Sequence, residues 1–358
     1  MCFTKFYNVL KPKMGHYGKL YLPLSYSKYN TKDVVMNTRK LNHMTFFDVS
    51  HMGLFETKIN DSSIKNLNNL LNVNVNKILP NKSKLCVILN KDGHVLDDLI
   101  ISNVNNQKLR LVVNANNKNY YKKMTFLEEQ NKHIFALQGH GSQKVLESLY
   151  SINLNNVYFM ENTNINNIEL SRCGYTGEDG FEVYLDKNQG YNLFNDIINL
   201  SLVDEKINFG GLIARDILRI EAGLNLSGTE FNENMNIKFN ALNMNFLVNK
   251  DFRNQNKDIL NSNIRQKLFY SNKPINTGII YSNSKQVGFI TSTTKSFNLD
   301  KFIGIGYIDS TLDVISNSNL DSNSNLDCKL YVKDKRNRNN EIKIQHGNFI
   351  DTNYYKKK

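Results

Sequence analysis

Carboxylates set among glycines and inside apolar strands are the residues of this chain best suited to chemistry. In Ser171-Arg172-Cys173-Gly174-Tyr175-Thr176-Gly177-Glu178-Asp179-Gly180-Phe181-Glu182, glycines recur every third residue and interrupt a β-like run. That spacing predicts a tight excursion needing φ > 0, followed by a strand over residues 181–185. In the strand Phe181, Val183 and Leu185 share one face and Glu182 and Tyr184 the other, which sets the Glu182 carboxylate on a potential ligand wall. Glu178 falls in the turn itself, where an acidic side chain is ordinarily solvated. Asp97 and Asp98 interrupt a second apolar run, residues 96–101. An acid in such a strand is costly unless it is paired or used. Adjacent strand residues point to opposite faces, so only one of the two reaches a given pocket. The alternation of Leu96, Asp98 and Ile100 with Asp97, Leu99 and Ile101 does not say which. Arg215 and Arg219 stand four apart on one face of a helix-like stretch, and the simple reading of Arg219 is a solvated charged face.

The surrounding elements must hold these groups. Residues 60–76 carry Ile64, Leu67, Leu70 and Leu71 at helical spacing, with Pro80 as punctuation. Residues 85–89 and 96–101 read as strands joined by a hairpin at Lys91-Asp92-Gly93. A further strand over 108–114 is followed by a predicted helix over 114–130, and the alternation through about residue 134 suits a compact α+β unit. A short apolar strand over 46–49 precedes Ser50-His51-Met52-Gly53, where Met52 fills core or touches a ligand. Residues 210–224 predict a helix with Gly223 as its stop. Residues 287–292 and 302–308 fit short strands of a β-rich tail. The tandem SNSNLD at 316–321 and 322–327 is too polar to pack and predicts a disordered insertion.

At 358 residues the chain exceeds one hydrophobic core and predicts two or three domains; 40% apolar content suffices to pack them. The formal charge of +12 is compatible with nucleic acid, an anionic surface or an acidic partner. Its lysines are scattered among asparagines and no nucleic-acid signature appears, so no nucleic-acid partner is expected. Cys2, Cys86, Cys173 and Cys328 form no C-x-x-C pair, and the histidines show no paired metal spacing, so reduced thiols and no metal are expected. No apolar run reaches the roughly 18 residues of a membrane span. Residues 1–30 have bases and no acid, a mildly transit-like feature without a convincing cleavable segment.

The glycine-rich stretch resembles the signature of the aminomethyltransferase family, the T-protein of the glycine cleavage system. Four further segments agree in the family's order: FDVSHMG at 47–53, LDDLII at 96–101, LVVNA at 111–115 and ARDILRIEAGLNLSG at 214–228. The likeness spans nearly the whole chain. It implies a ring-like, three-domain α+β fold: a folate-binding domain from 1–50 and 135–255, an α+β subdomain at 51–134, and a C-terminal β-barrel-like domain at 256–358 with its disordered insertion near 316–327. It also implies transfer of a one-carbon unit from the aminomethyl-lipoyl arm of the H-protein to tetrahydrofolate as co-substrate. By the same resemblance Asp98 is catalytic, and Met52, Ile100, Val112, Asn114, Glu182, Arg215 and Tyr354 bind folate. Residues 22–24 resemble the segment beside the folate site. A monomer in the mitochondrial matrix is implied as well. The sequence departs from the family's pattern at residues 242–246 and at Asn276, where an arginine is often found, which puts support for the folate tail in question. Two rival classes stand beside this family, the first of the same fold. A folate-binding iron–sulfur assembly factor would carry a cysteine motif where Leu226-Ser227-Gly228-Thr229-Glu230 stands. A folate domain of a flavin-dependent amine dehydrogenase would be fused to a dinucleotide-binding half, and no G-x-G-x-x-G at a strand–helix junction occurs.

Overall fold

The computed structural model describes residues 9–242, 244, 247–312, 329–334 and 336–357. The SNSNLD repeats, Cys2 and Cys328 lie outside them. The chain opens with an antiparallel hairpin, β1 (Pro12–Tyr17) and β2 (Leu20–Tyr26), then α1 (Thr31–Thr38), β3 (Met44–Asp48) and β4 (Gly53–Lys58). Next come α2 (Asp61–Leu71), β5 (Ser83–Leu89), β6 (Val95–Val104) and β7 (Lys108–Val113). The helix α2 starts where sequence chemistry says it should: Asn60 and Ser63 form a reciprocal capping box. The predicted hairpin between β5 and β6 is present, with Gly93 at φ +77°.

The predicted helix over 114–130 is not. In its place are a 3₁₀ turn, Ala115–Asn117, a single short helix α3 (Lys118–Lys122) and a two-residue strand β8 (Glu128–Glu129). Asn116, Asn117 and Asn119 are weak helix formers. The chain gains more by burying Tyr121 and returning to pair Glu128 and Glu129 with β4. These strands form an antiparallel sheet in the order β5-β6-β7-β4-β8, whose core with α2 includes Phe55, Leu67, Leu99, Leu111 and Tyr121.

A second sheet is assembled from distant parts of the chain. It uses β9 (His133–Gln138), β10 (Glu161–Ile165), β11 (Ile168–Arg172), β12 (Gly180–Leu185) and β13 (Ile207–Phe209), with α4 (Ser142–Tyr150) and α5 (Lys187–Val203) between them. Its order is β10-β11-β12-β9-β3-β13. Phe181, Val183 and Leu185 enter one core with Phe46, Phe135 and Leu193, while Tyr184 packs in the core on the opposite side with Phe47, Ala214 and Leu218. The faces deduced from period two are the observed ones. Helix α6 (Leu212–Glu221) covers that opposite side and ends at Gly223, φ +70°.

After two short helices, α7 (Lys250–Gln255) and α8 (Lys257–Leu260), the chain forms a closed barrel. Its strands are β14 (Ile264–Ser271), β15 (Gly278–Ser282), β16 (Lys285–Ser296), β17 (Lys301–Asp309), β18 (Leu330–Lys333) and β19 (Asn339–Gln345). The tail strands anticipated at 287–292 and 302–308 belong to β16 and β17, the former twelve residues long in all and carrying a register shift between Ile290 and Ser292. An α+β architecture with a C-terminal β-barrel is thus the observed one.

Arg219 is not on a solvated face. It is 1% exposed, donates to Asp216 and Glu230 at 2.8 Å each and to Ser292 Oγ of β16 at 2.7 Å, and so ties α6 to the barrel. Helical spacing shows that Arg215 and Arg219 share a side; it cannot show that the side is covered by a barrel some seventy residues onward.

Candidate active site

A cavity of about 520 Å³ lies between the two open sheets, closed by the segment after α6 and by the C-terminal tail. The five-stranded sheet supplies β6, in which Asp98 and Ile100 face the cavity, and Leu99 and Ile101 face the core with α2. The neighbouring Asp97 is buried on the other face, accepting from Tyr121 Oη at 2.7 Å. The choice between the two acids is therefore made by which face α2 covers. Asn114, at the end of β7, binds both: its amide lies 2.8 Å from Asp98 Oδ1 and 2.9 Å from Asp97 Oδ1. Burial, and after it the Asp97 charge, pushes the Asp98 carboxyl up to about 7. Asp97 is raised too, chiefly by burial.

The opposite wall comes from the glycine-rich hairpin. Gly177 takes φ +81°, and a Cβ on Gly180 would collide with the Leu137 carbonyl of β9. Glycine is required at the first position by conformation and at the second by space. The strand then delivers Glu182, 4% exposed, to the cavity. Its carboxylate accepts from the Cys173 thiol and, at 3.4 Å, from Tyr184 Oη. Burial raises the Glu182 carboxyl, and the charge of Arg215 opposes the shift. Arg215 rises from α6 with its guanidinium 5.0 Å from the centre of the Tyr175 ring, and its buried Nη1 has no hydrogen-bond partner among the described residues. His51, held below its usual range at about 4 by burial and the nearby Arg215, is a neutral imidazole at the cavity edge.

All eight residues singled out in sequence line this one space: Met52, Asp98, Ile100, Val112, Asn114, Glu182, Arg215 and Tyr354. Met52 also packs against the core beneath α6, so core filling and cavity lining are both observed. Residues 22–24 are only adjacent. Leu20 reaches the cavity, whereas Leu22 and Pro23 line a separate pocket of about 10 Å³ that shares His51 and Leu212 with it. Leu242 and Met244, where the sequence departs from the family pattern, are lining residues, and Asn276 is not.

Sequence reasoning missed Tyr17, Phe159, Cys173, Tyr175 and Asn225 as lining residues. Cys173 and Tyr175 sit in the glycine-rich stretch and could have been taken from it; Tyr17 and Phe159 carry no local signal. Glu178 was expected to be solvated and is not. It is 4% exposed and paired with Arg39 at 2.8 Å. That arginine, at the end of α1, also binds Glu221 at 2.9 Å. The turn is buried because α1 and the tail pack over it, which local polarity cannot reveal.

Comparison with known proteins bears on the family and the fold. Residues 3–251 match the GCVT N-terminal domain family. The chain is 30% identical over 342 residues to an aminomethyltransferase of Anoxybacillus flavithermus, covering 87% of this chain and 90% of that protein. It is 29% identical to one of Thermosipho melanesiensis, covering 84% and 86%. A crystal structure of glycine cleavage system aminomethyltransferase T from Bartonella henselae shares the fold with a TM-score of 0.85, at 23% identity over 98% of each chain.

Proposed function

The chain belongs to the aminomethyltransferase family, and from that membership we propose that it serves a glycine cleavage system, transferring the one-carbon unit of aminomethyl-dihydrolipoyl H-protein to tetrahydrofolate. The products are 5,10-methylenetetrahydrofolate, ammonia and the dihydrolipoyl carrier. The observation that carries this reading is convergence. Residues from five separated motifs and the tail meet in one cavity, with an elevated carboxyl on one wall and, on the other, the buried Glu182 carboxylate within the field of the Arg215 guanidinium.

The residues present fit a folate. A volume of about 520 Å³ lies within the usual range of ligand sites. Glu182 can accept two parallel N–H bonds from an amino-pyrimidine edge. Arg215 Nη1, buried and without a partner among the described residues, calls for an acceptor from a ligand. Ile100, Val112 and Met52 offer apolar contact, and Tyr354 an aromatic face.

In this reading Glu182 and Arg215 orient the acceptor so that its nitrogen meets the transferred carbon. Asp98 stabilises the positive charge that develops at that carbon. With its carboxyl raised to about 7, Asp98 is also suited to hold a proton on Oδ as the acceptor nitrogens lose theirs and the amine and sulfur leave protonated. Asn114 fixes the Asp98 carboxylate, and Phe159, Leu242 and Leu247 keep water from the carbon.

The deciding experiment is ammonia release from aminomethylated H-protein with and without tetrahydrofolate. Dependence on both is expected; release without either, or none with both, overturns the proposal. The protein is proposed to work as a monomer, with part of its +12 charge steering an acidic H-protein. Screening over roughly 8 Å at physiological salt then weakens the apparent affinity as salt rises. A flat response would make the charge compositional. The relatives named above are bacterial and bear on no organelle. A mitochondrial-matrix location belongs to the proposal, and imaging of the tagged full chain tests it.

A further inference from the structure

The C-terminal tail contributes Tyr354 to the cavity wall, yet residues 346–357 belong to no named strand or helix. Its residues on either side of Tyr354 are exposed, so little buried area holds the segment down. Among the contacts that hold it, Glu178 of the glycine-rich hairpin is met directly and its neighbour Asp179 through Arg172. Glu178 Oε1 binds Arg39 at 2.8 Å, and its other oxygen accepts from Asn353 Nδ2 at 2.9 Å. The Asn353 amide donates to the Gly177 carbonyl at 2.8 Å. Asp179 binds Arg172 at 2.5 Å, and the guanidinium of Arg172 lies between the rings of Phe181, at 4.8 Å, and Tyr355, at 4.0 Å. The Tyr355 carbonyl accepts from Phe159 N at 2.7 Å, and its ring stacks on Tyr158. Between these two attachments the Tyr354 ring stacks on Phe159, centroids 4.0 Å apart.

We propose that Glu178 and Asp179, with Arg39 and Arg172, are positioning residues that clamp the tail on both sides of Tyr354 and hold its ring in the cavity wall. One hairpin thereby sets two elements of the site: Glu182 directly, through its own strand, and Tyr354 indirectly, through the clamp. Each acid is held by an arginine, Arg39 for Glu178 and the buried Arg172 for Asp179, so the groups that Asn353 and Tyr355 meet are fixed and the tail alone pays the ordering entropy. The functional consequence rests on the folate reading of the cavity; the clamp itself does not.

The test alters only the exposed, tail side of the clamp, so that the fold is kept. Asn353→Ala/Tyr355→Ala, Tyr354→Ala and the triple variant are compared with wild type. Hydrogen exchange of the peptide covering residues 350–357, without ligand, is expected to quicken about ten-fold or more in Asn353→Ala/Tyr355→Ala while peptides of the barrel and of β12 are unchanged. Tyr355→Phe keeps the stack on Arg172 and gives up only the exposed Oη bond to the Asn155 carbonyl at 3.3 Å, so it should exchange close to wild type. Affinity for tetrahydrofolate should fall about five- to ten-fold in Asn353→Ala/Tyr355→Ala, and the triple variant should bind no worse than Tyr354→Ala, the signature of residues acting through one another. Unchanged exchange, or losses that multiply in the triple variant, would overturn the clamp. Absence of tetrahydrofolate binding in wild type would sink the folate reading instead, and the exchange comparison would still decide the clamp.

Discussion

Asp98→Asn preserves the shape of the side chain while removing its charge and its titratable proton, and it should move stability and rate in opposite directions. The Asp98 carboxyl is raised from an ordinary 3.8 to about 7 by burial and by Asp97. Between those values the folded chain keeps a proton that the unfolded chain has released. Wild-type stability therefore falls as pH rises through that window and levels off above it. The variant lacks this loss, so it should be the more stable protein at pH 8, with the difference closing below about pH 4. At 1.36 kcal/mol per pH unit the window spans about 4 kcal/mol. Because the carboxyl lines an open cavity and keeps its bond from Asn114, about 1–2 kcal/mol is the expected gain. Turnover should fall about 100- to 10,000-fold, the usual cost of one positioned acid–base group, with tetrahydrofolate affinity largely retained. Urea unfolding of both proteins at pH 4 and pH 8, beside the ammonia-release assay, reads both effects. A stability difference equal at the two pH values would refute the titration argument, and wild-type turnover in the variant would remove Asp98 from the mechanism.

At Asp97, buried behind the sheet and held by Tyr121 and Asn114, the same Asn substitution should act chiefly on stability, so that thermal unfolding shifts while the rate per folded molecule stays within a few-fold. Glu182→Gln replaces one acceptor by a donor and leaves the Arg215 charge unopposed. With charge-assisted bonds contributing about 1.5–3 kcal/mol each, isothermal titration should show a roughly ten-fold or greater loss of tetrahydrofolate affinity, and unchanged binding would assign the ligand to another wall. Arg219→Ala strands Glu230 in the interior, so unfolding should become easier by about 3–5 kcal/mol in a denaturant titration. A loss below 1 kcal/mol would mean that the contact between α6 and the barrel does not depend on this arginine.

Local rules carried a definite part of this protein. The face of β12 that bears Glu182, the hairpin ahead of β6 and the glycine stop of α6 follow from side-chain period, turn chemistry and φ preference, all written within a few residues. The resemblance added which motif residues to watch, and the cavity gathers them. What sequence could not supply was everything decided by a distant surface. Asp98 faces the cavity because α2 covers the other side of its sheet. Glu178 is buried because Arg39 and Asn353 arrive from opposite ends of the chain. Arg219 is buried because the barrel brings Ser292 to it. The expected helix over 114–130 gave way to an edge strand because β4 offered unpaired backbone there. Alternation and helical spacing report how a segment divides its own faces; which face meets solvent is settled only when another part of the chain packs against it.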